Sequence, residues 1–214
     1  MNKKNFCICI SGLDGTGKSH IVKELVKHYK KENDTKHVWS RYKNYTSKPL
    51  LFFTRLIGLN YKENCNGIII GYHDFHKSKL ISFLFLFFQW IDQIIEIFIK
   101  FKLTKKNIIS DRSIIDTLVD LSIDTKLEKI IFGFYGKSLI KFMPPNTIFL
   151  ILKRDLEKIK KNREDVFYDK NLKRRIEMFD EIIKFFPVVV LENNSEIDSV
   201  RNKIISEVDK KFKI

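Results

Sequence analysis

The sequence is poor in the residues that break or staple a chain. Its 214 residues include only 8 Gly, 4 Pro and 3 Cys. So little Gly and Pro excludes collagen-like and Gly/Pro-rich low-complexity sequence. An odd, small number of cysteines excludes a disulfide-built scaffold. Cys7 and Cys9 share one side of an apparent strand and Cys65 stands apart in a polar stretch, so no paired zinc spacing occurs. Unpaired thiols predict a reducing, cytoplasmic compartment. The first apolar run, Phe6 to Ile10, is short for a secretory core and is followed by glycine, so secretion is not expected.

What is abundant is apolar and basic. Hydrophobic residues make up 44%, with 19 Phe, 7 Tyr and 2 Trp, enough for a sizeable core, so the chain is not disordered despite a net charge of +14. The basic excess is compatible with any anionic partner and by itself gives no reason to add nucleic acid. The most apolar stretch, Leu80 to Leu103, has the length of a membrane span. Within it Ser82, Gln89, Gln93, Glu96 and Lys100 step by helical intervals, with Asp92 beside them. That is one polar stripe on an α-helix, and two carboxylates inside a lone span are costly. A helix over residues 78–102 buried in the domain or at a homodimer interface is expected, not a membrane span.

Short β-like runs alternate with longer helical ones. Strands are expected at Phe6–Ser11, His37–Arg41, Asn107–Ser110, Thr147–Leu152 and Val188–Leu191. Helices are expected at 21–29, 50–59, 78–102, from Ile114 to Leu121, over the charged stretch 153–184, and at the end of the chain, with Ser195 or Asp198 as cap. Residues 60–77 read as loop. Two histidines there, His73 and His76, lack evident metal-ligand partners, and an ordinary surface turn is the simplest reading. The alternation predicts one α/β domain over 1–214, a parallel sheet of about five strands with helices on both faces.

Three of the eight glycines lie within six residues. Gly12-Leu13-Asp14-Gly15-Thr16-Gly17-Lys18-Ser19 matches G-x-x-x-x-G-K-[ST] between an expected strand and an expected helix. Such a loop turns its backbone N–H groups onto phosphates. Gly12, Asp14, Gly15, Thr16, Gly17, Lys18, Ser19 and His20 are therefore the candidate ATP-binding residues. Lys18 reaches the β- and γ-phosphates, and the Ser19 hydroxyl is a Mg²⁺ ligand. No Asn-Lys-x-Asp guanine signature occurs. A small P-loop kinase fold is the expectation.

The run Asn107-Ile-Ile-Ser-Asp111-Arg112 ends a hydrophobic strand in Asp-Arg. Asp111 suits Mg²⁺ or its waters, or caps the next helix; Arg112 suits an acceptor or transferring phosphate. The loop GLDGTGKS and the segment IISDRSIIDTLVD resemble the thymidylate kinase family of nucleoside-monophosphate kinases. The resemblance implies ATP-dependent phosphorylation of dTMP to dTDP with Mg²⁺. Asp14 would contact the acceptor nucleotide, and Asp111 and Arg112 would serve Mg²⁺ and the acceptor phosphate.

It also implies a mobile basic lid. The matching stretch, 153–175, holds ten Lys/Arg against five Asp/Glu. Arg163 is the favoured lid arginine, with Arg174 behind it. Closure would exclude water and neutralise developing charge. Lys18, Asp14, Arg112 and Arg163 are the candidate catalytic residues. The acceptor side departs from the family. Arg41 follows the second strand without the family's Pro-Gly-Gly turn, and counting from Asp111 places Asp116 and Asp120 where the family has Ser and Tyr. Gln89 or Trp90 falls where an arginine meets the base. Arg41, Gln89, Trp90, Arg112 and Asp116 are the candidate acceptor residues. Another nucleoside or phosphometabolite as acceptor, or a low-turnover nucleotide-binding regulatory module, remain the alternatives.

Overall fold

All five apolar runs form strands of one parallel sheet. The computed structural model describes residues 5–30, 34–41, 43–194 and 197–212. Its first half runs β1 (Cys7–Ser11), α1 (Lys18–Lys30), β2 (Thr35–Trp39), α2 (Lys48–Leu56), β3 (Asn60–Cys65), β4 (Ile68–His73), α3 (Lys79–Ile97) and β5 (Asn107–Asp111). The second half runs α4 (Ile114–Thr125), α5 (Glu128–Ile130), α6 (Gly136–Phe142), β6 (Thr147–Lys153), α7 (Leu156–Asn162), α8 (Leu172–Phe185), β7 (Val188–Glu192) and α9 (Ile197–Phe212). The strand order is β2-β5-β1-β6-β7, with every pair parallel. Ser195 lies outside the described residues.

Strand parity divides the core in two. On one face Ile8, Ile10, Ile148 and Leu150 pack with Ile21 and Leu25 of α1 and Val200, Ile204 and Val208 of α9. On the other, Cys7, Cys9, Phe149 and Ile151 pack with side chains of α3, α4, α6 and α8. Successive strand residues point to opposite faces, so a strand covered on both sides must be apolar at every position, as Cys7–Ile10 is. Burying each Ile or Leu contributes about 1.5–3 kcal/mol. The result is the three-layer α/β P-loop fold, whose ligand edge is the carboxyl end of the strands.

Two parts differ from the sequence expectation. Residues 60–77 are not all loop: β3 and β4 form an antiparallel hairpin, with Cys65 opposite Ile68. Asn66 and Gly67 make its two-residue turn with φ of 51° and 84°, the doubly left-handed geometry that Asn-Gly supplies. The charged stretch 153–184 is not one helix. It breaks at Arg163 (φ −149°) into α7, a 3₁₀ turn over Glu164–Tyr168, and α8. The chain between α4 and β6 is also helical, with a π-helical turn at Ile131–Tyr135 joining α5 to α6.

The direction of α3 is set by its polar side chains. With the π-helical turn Phe98–Lys102 it is long and apolar enough to cross a membrane by length and composition, yet half of it is buried within the domain. Its polar stripe faces inward: Ser82, Gln89, Asp92, Gln93 and Glu96 are all buried, while Leu80, Phe83, Phe87 and Phe98 are more than half exposed. Asp92 explains the inversion. Its carboxylate accepts from the backbone N–H of Tyr45 (3.1 Å), Thr46 (2.6 Å) and Ser47 (3.2 Å) and from the hydroxyls of Thr46 (2.8 Å) and Ser47 (2.6 Å). The Ser47 side chain caps α2 without accepting from a helix N–H, so a carboxylate from α3 satisfies the donors that lead into α2.

Candidate functional site

The phosphate loop joins the end of β1 to the start of α1. Gly12 has φ of 138°, and a Cβ there would collide with the Leu152 carbonyl; Gly17 has φ of 91°, and a Cβ there would lie 2.5 Å from Asn193 Nδ2. Only glycine lets the loop pass this close to β6 and to the end of β7. Thr16 closes the loop on itself: its hydroxyl donates to Leu13 O (2.8 Å), and it is fully buried. Asn193 Nδ2 donates to Thr16 O (2.6 Å). Lys18 Nζ donates to Gly12 O (2.8 Å) and Leu13 O (2.6 Å) and lies 3.6 Å from Asp14. Burial, and then the charge of Arg112, lower the Lys18 pKa from its ordinary value.

The end of β5 comes against this loop. Arg112 N donates to Ile10 O (2.8 Å), and Arg112 is left-handed, with φ of 71°. Backbone strain in a non-glycine residue of this kind persists where its surroundings over-determine it. The bend aims the guanidinium at Asp14, which it contacts directly, and at Asp116 (3.3 Å). Burial pushes the Asp14 carboxyl up, but Arg112 and Lys18 outweigh it and hold it below its ordinary value. Burial of Asp116 wins over the same two cations, so its carboxyl is raised. Asp111 is not the cap of α4. Ser113 is, accepting from Ile115 N (3.1 Å), while Asp116 Oδ2 accepts from Ser113 N (3.0 Å) to complete a capping box.

Two cavities meet at this point. One, of about 380 Å³, is lined by Gly15, Gly17, Lys18, Ser19, His20, Asp111 and Arg154. It contains the groups expected to hold triphosphate and Mg²⁺. Ser19 and Asp111 offer one hydroxyl and one carboxylate, which suits a Mg²⁺ that keeps waters and takes its other oxygens from phosphate. The second, of about 330 Å³, lies among α4 (Asp116, Asp120, Asp124), the hairpin (Ile68 to Tyr72) and the segment from Arg163 to Phe179. Asp14, Arg41, Arg112 and Arg163 line both.

The stretch 153–175 forms a wall of both cavities, with the favoured Arg163 in it and Arg174 outside it. Arg163 is there, clamped by Asp165 through two bonds of 2.7 Å. Arg174 is turned away, paired with Glu128 (2.5 Å) and Glu177 (2.9 Å). Its neighbour Arg175 enters the second cavity, held by Asp120 and 3.6 Å from Asp169. Lys170 ties this wall to the hairpin. Its Nζ lies 3.9 Å from the centre of the Tyr72 ring and donates to Tyr61 Oη (2.8 Å) and Glu63 (3.0 Å).

Gln89 and Trp90 line neither cavity. Gln89 is fully buried, donating to Asn44 Oδ1 (2.6 Å) and Ser47 Oγ (2.9 Å). Trp90 donates to Ser138 Oγ (2.8 Å) and packs edge-on to Phe142. No residue of α3 lines either cavity, so counting back from Asp111 does not reach the acceptor side. Sequence reasoning missed Arg175, Asp124, Lys170 and Arg154. Arg154 directly follows β6, and its Nε is buried without a hydrogen-bond partner among the described residues. The signal available for it was a basic residue at the carboxyl end of a central strand.

A glycine-rich loop between β1 and α1, a lysine folded into it and a strand-end carboxylate beside it define a P-loop nucleotide-binding domain. The chain belongs to the KAP family: the KAP family P-loop domain matches residues 1–214, and the protein is a P-loop NTPase. This match supports use of a nucleoside triphosphate and does not extend to thymidylate kinase in particular. No curated protein matches the sequence.

Proposed function

We propose that the protein transfers the γ-phosphoryl group of ATP to a nucleoside monophosphate, with ATP phosphates and Mg²⁺ in the first cavity and the acceptor in the second. One observation carries this reading: the two cavities share Asp14, Arg41, Arg112 and Arg163. Three guanidiniums thus surround the place where donor and acceptor phosphates would face each other. Lys18 leaves the Gly12 and Leu13 carbonyls to reach the β- and γ-phosphates. Ser19 and Asp111 would hold Mg²⁺, which would supply neutralising charge. Arg41 and Arg112 position the acceptor, and Arg163 turns from Asp165 onto the transferring group. No strong general base is required, because a phosphate oxygen is already nucleophilic; positioning and electrostatics carry the rate.

Hydrolysis is the second reading, favoured by membership in a family of P-loop NTPases. Purified protein with Mg·ATP, assayed for ADP release with and without nucleoside monophosphates, separates the two. Acceptor-dependent ADP formation with a new diphosphate product supports transfer. ADP release that no acceptor alters, with inorganic phosphate as the product, sinks it. Lys18→Ala should abolish either activity.

We also propose that two copies pair through α3. The outward face of this helix carries Leu80, Phe83, Phe87 and Phe98, an apolar surface that monomers seldom leave uncovered. Sedimentation of a Phe83→Lys, Phe87→Lys variant as monomer, with the parent as dimer, is the expected result; a monomeric parent overturns it.

A further inference from the structure

The second cavity is graded in charge along α4. Asp116, Asp120 and Asp124 stand at every fourth position, on one face of the helix. Asp116 marks the end beside the phosphate loop, 3.5 Å from Gly12 N and 3.3 Å from Arg112. Asp124 lies two such steps further on, about 12 Å along the axis at ~1.5 Å per residue. That is the length of a nucleoside monophosphate. At the near end Arg41, Arg112 and Arg163 offset Asp14, Asp116 and Asp165, whereas the far end has an excess of carboxylates. Asp120, Asp124 and Asp169 all line it, against one guanidinium, Arg175, which Asp120 and Asp169 already engage. Asp124 is fixed by His73, whose Nδ1 lies 2.9 Å from Oδ2. Tyr72 and Phe179 add aromatic surface to the same cavity.

Resting on the nucleoside-monophosphate reading above, we infer that the far end of this cavity selects a base bearing an exocyclic amino group, and that Asp124, supported by Asp120, is the specificity-determining residue. A phosphate held at Arg41 and Arg112 places the base among these carboxylates. Carboxylates only accept hydrogen bonds. An amino group gives them one more donor, whereas the carbonyl that replaces it in uracil, thymine or hypoxanthine turns a lone pair toward carboxylates that have no proton to donate to it. Sites built on hydrogen bonds reject such analogues strongly.

The test uses pairs of acceptors that differ by that exchange, CMP against UMP and AMP against IMP, with dTMP alongside, all with Mg·ATP and the full chain. In at least one pair the amino member should have a kcat/KM at least about 10-fold above its partner and above dTMP. An oxo member equal or better in both pairs, or dTMP best of all, overturns the selection while leaving the kinase reading standing. Turnover of none of the five, with ATP still hydrolysed, overturns the kinase reading and this inference together.

Asp124→Asn should raise KM for the preferred acceptor about 10-fold, with kcat within about threefold and KM for ATP unchanged. Asp120→Asn, read by equilibrium binding of CMP and UMP, gives the same comparison independently of turnover. An equal loss on every acceptor, with the ranking intact, overturns the assignment to these residues.

Discussion

The Arg112 guanidinium lies against the Asp14 carboxylate, so the end of β5 and the phosphate loop are held together by one ion pair. The same guanidinium reaches Asp116 on α4. Arg112→Ala should lower turnover by about 10²–10³-fold, and Arg112→Lys should restore little of it, because a single ammonium cannot span both carboxylates. Backbone strain separates a second effect. Arg112→Gly should melt higher than Arg112→Ala by the equivalent of about 1 kcal/mol, since glycine adopts φ of 71° freely. Thermal melts of the two variants, taken beside their rates, check both statements; an Ala variant as stable as the Gly variant argues against strain.

Gly12→Ala should cost several kcal/mol and ATP binding with it, because the added methyl would strike the Leu152 carbonyl and φ is 138°. Gly71→Ala is the contrast. No atom lies within 4 Å of a Cβ there, so its melting temperature should stay within about a degree or two of the parent.

Asp92→Asn should destabilise the fold by about 2–4 kcal/mol while leaving both cavities lined as before. Five donors converge on this carboxylate, and an amide presents two further donors to them. Burial raises the Asp92 carboxyl, but its bonds with Ser47 and Thr46 win, and its pKa is lowered. Its contribution to stability is therefore complete above about pH 3.9, the ordinary value, and is lost as pH falls through the folded value. Acid melts of parent and variant should converge.

His73 has the opposite sign. Burial lowers its pKa, the bond to Asp124 and the charges of Asp124 and Asp120 raise it against Arg55, and the net shift is upward. Its stabilisation is complete below about pH 6.5 and disappears as pH rises through the folded value. The parent should lose melting temperature on going upward from about pH 6.5, and His73→Gln should lack that slope. Identical slopes in the two proteins would show that the pair does not titrate in this window.

The five strands were legible because a strand buried on both faces has to be apolar throughout, and the phosphate loop because its function sits in eight consecutive residues. Period reveals a helix but not which neighbour it faces. The stripe from Ser82 to Glu96 was therefore recognised as helical while its inward direction was not, since Asp92 finds its partners 45 to 47 residues away in the chain. The hairpin is half exposed and alternates too weakly to register; its one strong signal was Asn66-Gly67. In the lid wall Arg163 lines both cavities, while the second choice, Arg174, fell one residue short; one residue on a helix is a rotation of about 100°, the difference between Arg174 on the surface and Arg175 in the cavity.

All twelve residues of α4 are buried. The wall that carries Asp116, Asp120 and Asp124 is thus also an interior girder, and any change there is felt by the fold. Of the facing walls, the hairpin tip is exposed and the segment from Arg163 to Asn171 is half-buried or exposed throughout. Substitutions on these two walls should therefore reshape the pocket at little expense to the fold, whereas those at Asp120 or Asp124 should change acceptor preference and melting temperature together.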